Sequence, residues 1–180
     1  MINLILVRHG QSQWNLENRF TGWYDAELTE MGLIEAQKAG SLIRNLGLKF
    51  NYGFTSYQTR AIKTFETILK TSDIRSLNIT KAWQLNERHY GSLQGLNKDE
   101  TAKKYGIEQV MIWRRSYNTP PPPQNRDDPE HPVNSKLYSD IDPKLIPDSE
   151  SLEDTYNRTV PYYNKNIEPL LKKSENVLIS

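Results

Sequence analysis

Leu4-Ile5-Leu6-Val7-Arg8-His9-Gly10 decides the reading of this chain. The run Ile2–Val7 is short, almost wholly aliphatic and rich in β-branched residues. That pattern predicts a strand covered on both faces, as in a parallel sheet. Open α/β sheets bind ligands at the carboxyl ends of their strands. Arg8 and His9 fall where this strand should end, and Gly10 lets the chain turn and a ligand approach the backbone. Arginine offers a planar fork matched to phosphate. Histidine offers a nitrogen nucleophile near neutral pH. A lone Arg-His-Gly reads equally as a strand ending in a histidine bonded to a carbonyl, so the rest of the chain must decide.

The 180 residues carry 23 Lys and Arg against 22 Asp and Glu, for a formal net charge of +1. The length suits one domain with a sizeable core. The charge balance gives no support for nucleic-acid or membrane-surface partners. With no cysteine, a disulfide scaffold and thiolate metal sites are excluded. No apolar run approaches the roughly 20 residues that span a bilayer, and the N-terminus lacks a signal-peptide pattern. The expectation is a cytoplasmic globular protein.

Downstream, strands and helices alternate. Thr29 is placed as an N-cap, with Leu33, Ala36, Gly40, Ile43 and Leu46 at helical spacing and Gly47 as a stop. Tyr52–Thr55 reads as a strand. Ser56–Arg60 opens a helix whose apolar side includes Ala61, Ile62, Phe65, Ile68 and Leu69. Leu77–Thr80 is a weak strand, Trp83–Lys98 a loop region, and Thr101–Tyr117 mostly helical. Ser151-Leu152-Glu153-Asp154 has capping-box form. The helix after it should bury Leu152, Tyr156, Val160, Tyr163, Ile167 and Leu171, with Pro161 kinking or splitting it. Asn176–Ser180 is a last strand. The fold class is α/β, a mostly parallel sheet with helices on both faces. Residues 118–147 hold eight prolines, four of them at Pro120–Pro123. They read as a surface excursion with little regular structure, either a solvated insertion or a lid.

Phosphate-compatible cations are scattered along the chain: Arg8, Arg60, Arg88, Lys98, Arg114 and Arg115. Each alone reads as a surface residue with a packed stem. Arg60, however, falls in the first turn of a helix, where the macrodipole disfavours a cation unless an anion is near. Converging, these groups would neutralise a small, multiply charged phosphate ester without a metal. Glu87 reads as a solvated carboxylate or, near phosphate charge, as a carboxyl whose acid form is favoured and which can move a proton to or from an ester oxygen.

The ordered set of segments is similar to the cofactor-dependent phosphoglycerate mutases of the histidine phosphatase superfamily. It comprises Leu4–Asn15, Asn18–Trp23, Thr59-Arg60-Ala61, Leu85–Gly91, Leu93–Lys98, Trp113-Arg114-Arg115 and Glu150-Ser151-Leu152, and it spans the whole chain. The resemblance implies that His9 is the nucleophile and carries a phosphoryl group between turnovers. It implies that Arg8, Arg60 and Asn15 hold that group and that Glu87 gives and takes the proton. Gly10, Ser12, Thr21, Gly22, Arg88, Tyr90, Lys98, Arg114 and Arg115 would bind the substrate. The implied reaction interconverts 3-phosphoglycerate and 2-phosphoglycerate in glycolysis and gluconeogenesis. 2,3-Bisphosphoglycerate primes the histidine, no metal is used, and the protein is a homodimer or homotetramer.

Family members continue past the strand matching Val177–Ser180 into a His-Gly-Asn segment whose histidine faces the nucleophile. Neither His89, in another matched segment, nor His131, in the proline-rich excursion, takes its place. The expectation is a single catalytic domain over residues 1–180, incomplete at its C-terminus. A histidine phosphatase or bisphosphoglycerate mutase using the same nucleophile, and an inactive phosphoglycerate-binding fragment, stand as the alternatives.

Overall fold

A computed structural model describes residues 3–173 and 175–180. The regular elements run β1 (Leu4–Leu6), α1 (Gln13–Leu16), α2 (Glu30–Asn45), β2 (Tyr52–Thr55), α3 (Thr59–Ser72), β3 (Asn78–Lys81), α4 (Lys98–Tyr105), α5 (Ile107–Arg115), α6 (Leu152–Asn166), α7 (Glu168–Lys172) and β4 (Val177–Ile179). Of the first expected strand, Ile2 lies outside the described residues. The chain divides into two compact units. One comprises Met1–Gln13, Ala26–Asn86 and Thr159–Ser180; the other comprises Trp14–Asp25 and Glu87–Arg158.

The first unit is built on a parallel sheet of strand order β1-β4-β2-β3. Side chains of a strand alternate between its two faces. Ile5 and Leu178 point to one face, where they pack with Ile43 of α2 and Phe65 and Ile68 of α3. Leu4, Phe54 and Val177 point to the other, against Tyr162 and Tyr163 of α6, Ile167, and Leu170 and Leu171 of α7. Helices therefore cover both faces, as expected. Val177 and Leu178 are fully buried, each worth roughly 1.5–3 kcal/mol. The opening strand differs from its sequence reading. It lies at the edge of the sheet, and Leu6 is 69% exposed. An aliphatic run does not say whether a strand is central or at an edge.

Thr29 caps α2 by accepting from the Gly32 N–H at 3.1 Å. Gly47, at φ +63°, follows the helix as the expected stop. Ala36, Gly40 and Ile43 are buried, but Leu33 and Leu46 are exposed, because the buried stripe is narrower than the apolar one. The α3 stripe of Ala61, Phe65 and Ile68 is buried as expected. β3 pairs where the weak strand was expected, with every residue exposed. Leu152 and Tyr156, expected inside, are exposed, whereas Ile167 is completely buried. Helix α6 runs through Pro161, and the break comes instead between Asn166 and Glu168.

Gly10 meets the first turn of α2 without a gap. A Cβ there would strike the Gly32 carbonyl, and one on Gly32 would strike the Gln11 carbonyl. Both obstacles are backbone and cannot swing aside. Gly10→Ala should lower stability by about 1–3 kcal/mol, read from a denaturant midpoint at unchanged slope. An unshifted midpoint would refute the close-approach argument.

The second unit packs Phe20, Leu93 and Val110 with Tyr90, Ala102 and Trp113. Asn97 caps α4 through the Asp99 and Glu100 amides at 2.9 and 3.2 Å. The single helix expected over Thr101–Tyr117 is two, broken at Gly106, whose φ of +86° no helix accommodates. Ser151 forms its capping box with Asp154. The Ser151 N–H donates to the carboxylate at 2.8 Å, and its Oγ accepts from the Asp154 N–H at 3.1 Å.

The proline-rich stretch has little regular structure, as expected: isolated turns at Pro132–Asn134, Lys136–Tyr138 and Pro143–Leu145. It is not simply a solvated surface segment, because His131, Pro132, Tyr138, Ile141 and Ile146 are buried. Tyr138 stacks on Trp23 at 4.9 Å. Arg126 pairs with Asp148 at 2.6 Å and donates to the carbonyls of Pro143 and Ile146. One guanidinium thereby gathers two points of the stretch and the aspartate just beyond it.

His89 sits between Trp23 and His131, with ring centroids 5.8 and 6.0 Å away. Its Nδ1 accepts the Gly91 N–H at 2.9 Å, which requires that nitrogen to be unprotonated. Burial, then the nearby His131 and Arg158, push its pKa from 6.5 to about 3. The unfolded chain thus binds one more proton than the folded chain between those values. Stability from this residue is complete above about pH 6.5 and falls as pH drops toward 3, by about 1.4 kcal/mol per unit. Thermal melts from pH 7 to 4 should show this slope reduced in His89→Asn, which keeps an acceptor for Gly91. The same slope in both proteins would remove His89 as its source.

Among the described residues no helix is long and apolar enough to cross a membrane.

Candidate active site

In the first unit the site grows from the end of β1. The Val7 N–H makes a sheet bond to the Ile179 carbonyl at 2.8 Å, and Arg8 and His9 follow. His9 is half-buried, and its Nδ1 lies 2.7 Å from the Gly10 carbonyl oxygen. A carbonyl can only accept, so Nδ1 carries the proton. In the neutral ring the basic lone pair is therefore on Nε2.

The Gly10 N–H donates to Thr64 Oγ1 at 3.1 Å, and that hydroxyl donates to the Arg60 carbonyl at 2.7 Å. These two bonds tie the start of α3 to the strand end. Arg60, in the first turn of α3, is wholly buried. A cation at that end of a helix is disfavoured by the macrodipole and favoured by a neighbouring anion. Arg8 is exposed, and Ser12 is buried where its backbone bridges to Leu28.

The second unit holds the other set. Arg88 is 6% exposed. Its Nη2 donates to the Arg114 carbonyl at 2.9 Å and to Tyr90 Oη at 3.3 Å, and its guanidinium lies 4.8 Å from the Tyr90 ring centre. Its Nη1 is buried without a hydrogen-bond partner. Leaving such a donor unmet costs free energy that an anionic acceptor would recover. Tyr90 packs on Phe20, and Lys98 Nζ lies 5.9 Å from the Phe20 ring centre.

Lys98 is the first residue of α4, again a cation at a helix start. Lys98 and Arg114 line a common cavity of about 460 Å³ with Asn18, Lys103 and Val110. Thr21 and Gly22 are buried beside Gln94, which accepts the Trp23 N–H at 2.7 Å. Asn15, Glu87 and Arg114 are half-buried, and Arg115 is exposed.

Arg88, Tyr90, Lys98 and Arg114 are thus linked by contact, while His9, Gly10 and Arg60 are linked through Thr64. Each set suits a phosphorylated anion. Among the described residues no group of three or more His, Asp or Glu is disposed to hold a metal ion.

The reading of the sequence had no role for Arg158, nor for Glu150 beyond its place in a matched segment. They form a bidentate ion pair. Glu150 precedes the helix that carries Arg158, so no helical spacing relates the two, and the sequence held no signal for the pair.

Residues 4–134 match the family model described as histidine phosphatase superfamily (branch 1). Over all 180 residues the chain is 51% identical to a 2,3-bisphosphoglycerate-dependent phosphoglycerate mutase 2 of Lactiplantibacillus plantarum, spanning 78% of that protein. It is 49% identical over its full length to a 2,3-bisphosphoglycerate-dependent phosphoglycerate mutase of Porphyromonas gingivalis, spanning 73% of it. In fold it resembles a phosphoglycerate mutase from Bacillus anthracis. The TM-score is 0.70 at 23% identity, over 99% of this chain and 73% of that one. A mycobacterial glucosyl-3-phosphoglycerate phosphatase shares the fold at TM-score 0.71 and 20% identity, over 99% of this chain and 75% of that one.

Proposed function

The chain belongs to branch 1 of the histidine phosphatase superfamily, among the 2,3-bisphosphoglycerate-dependent phosphoglycerate mutases, and on that premise we propose that it interconverts 3-phosphoglycerate and 2-phosphoglycerate through a phosphorylated His9. It is an isomerase, an intramolecular phosphotransferase of glycolysis and gluconeogenesis, and small, highly charged phosphoglycerate substrates support a cytoplasmic setting. The observation that carries the reading is the Nδ1 contact to the Gly10 carbonyl, which puts the lone pair of His9 on Nε2 at the carboxyl end of a parallel strand.

In the first half-reaction Nε2 forms a bond to phosphorus as the ester P–O bond breaks. The departing alkoxide oxygen takes the proton of the Glu87 carboxyl. In the second, the Glu87 carboxylate removes the proton from a glycerate hydroxyl. That oxygen attacks phosphorus and the N–P bond breaks, so each half-reaction restores the forms of His9 and Glu87 that the other requires, and the phosphoryl group rests on His9 between turnovers.

Arg8, Arg60 and Asn15 hold the transferring group, where the rate enhancement comes mainly from position and charge. Arg88, Tyr90, Lys98, Arg114 and Arg115 take the remaining phosphate and the carboxylate, with Gly10, Ser12, Thr21 and Gly22 lining the approach. The unmet Nη1 of Arg88, together with Lys98 and Arg114, fits a doubly phosphorylated glycerate. When bound, 2,3-bisphosphoglycerate supplies the phosphoryl group that first loads the histidine.

The test is intact mass after brief exposure to 2,3-bisphosphoglycerate. The parent should gain one acid-labile phosphoryl group and His9→Ala none. A coupled assay from 3-phosphoglycerate should give 2-phosphoglycerate faster than inorganic phosphate. Phosphate as the dominant product would replace the mutase by a phosphatase, and an unlabelled parent would remove the phosphohistidine.

A further inference from the structure

Glu87 opens the run Glu87-Arg88-His89-Tyr90, which carries three of the proposed site residues. One buried ion pair holds the backbone of this run on both sides of Arg88. The side chains of Arg158 and Glu150 are 9% and 3% exposed. They pair bidentately, Nε to Oε1 at 2.6 Å and Nη2 to Oε2 at 2.9 Å. The same Nη2 donates to the Glu87 carbonyl at 3.1 Å. The same Oε2 accepts the His89 N–H at 2.8 Å, and the Glu150 N–H donates to the His89 carbonyl at 2.9 Å. The Arg158 guanidinium lies 5.6 Å from the Trp23 ring centre, which limits its freedom to turn.

A buried ion pair is a poor device for stability alone, since apolar residues of the same volume often serve as well. What this pair supplies that apolar residues cannot is a set of directed bonds to two named peptide groups. A planar fork with several donors meets that need, and an ammonium does not.

We infer that Arg158 and Glu150 are positioning residues that set Glu87 for its proton transfer, an inference that rests on Glu87 being the proton donor. Their bonds to this run go to its peptide groups. They fix the backbone from which the Glu87 side chain projects, and a displacement of about 1 Å there costs on the order of a hundredfold in rate.

The experiment measures the rate of His9 phosphorylation from two donors. The glycerate alkoxide leaving 2,3-bisphosphoglycerate needs a proton, whereas the phenolate leaving para-nitrophenyl phosphate does not. Glu87→Gln should lose about a hundredfold or more with the first donor and stay within about threefold with the second. Arg158→Lys, which keeps the charge over Trp23, and Glu150→Gln should show the same selective loss at about tenfold to a hundredfold. Their KM for 3-phosphoglycerate should stay within about threefold of the parent's, as expected when transition-state rather than ground-state interactions are lost.

If Glu87→Gln is selective while Arg158→Lys and Glu150→Gln weaken both donors equally or neither, the positioning role is wrong and the role of Glu87 survives. If Glu87→Gln is itself unselective, the proton-donor reading falls and this inference falls with it.

Discussion

His9→Gln should reduce turnover of 3-phosphoglycerate by about 10⁴-fold or more while leaving the fold as it is. The magnitude follows from the residue's part in the chemistry. A glutamine amide nitrogen has no basic lone pair, so neither half-reaction has a carrier for the phosphoryl group, and losing a nucleophile removes the benefit of the groups arranged around it. The fold should persist because His9 is only half-buried and follows the sheet bond from Val7 to Ile179. Its Nδ1 bonds its neighbour's carbonyl, which a glutamine amide can also reach. The check pairs a coupled assay with a thermal melt. Turnover within tenfold of the parent would sink the nucleophile assignment, and a collapsed melt would make the residue structural.

The same locality explains what was legible in the sequence. Thr29 and Ser151 were readable as caps because a cap bonds an amide only three residues on, well within one turn. Tyr52–Thr55 was readable as a strand because it is bounded on both sides and central in the sheet. Leu6, Leu33, Leu46, Leu152 and Tyr156 were misplaced because apolar spacing says which face a side chain shares, not whether a neighbour covers that face. The burial of Tyr138, Ile141 and Ile146 within a stretch composed like a loop was beyond a reading that weighs prolines and acids. Scattered cations could be paired with phosphate chemistry by type alone. The hold of Arg158 on the Glu87 carbonyl joins residues 71 positions apart, and no periodicity reaches that far.

Two placements of charge connect the fold to the chemistry. Arg60 and Lys98 each occupy the first turn of a helix, and Arg60 is buried there. The helix dipole disfavours a cation at both positions. Beside a phosphoryl group they become favourable, because the dipole and the side chain then attract the same anion.

Glu87→Gln should lower turnover by about 10²–10⁴-fold, and by the same factor in both directions. The symmetry is the stronger part of the expectation. One carboxyl gives its proton to the departing oxygen in the first half-reaction and takes a proton from the attacking oxygen in the second. Running the reaction backwards exchanges those two roles without adding a third. A substitution cannot alter the equilibrium between free 3-phosphoglycerate and 2-phosphoglycerate, so the forward and reverse values of kcat/KM must fall together. Glutamine keeps the shape and hydrogen-bonding reach of the side chain but has no acid proton to give at neutral pH. Glu87→Asp separates chemistry from reach, since it retains the carboxyl on a shorter stem. It should fall between the parent and Glu87→Gln, because a group that must be correctly placed loses rate steeply with distance. Progress curves from each substrate, with phosphorylation of His9 followed by mass, provide the check. Glu87→Gln within threefold of the parent would assign the proton to another group, and Glu87→Asp as slow as Glu87→Gln would make placement, rather than acidity, the property that matters most at this position.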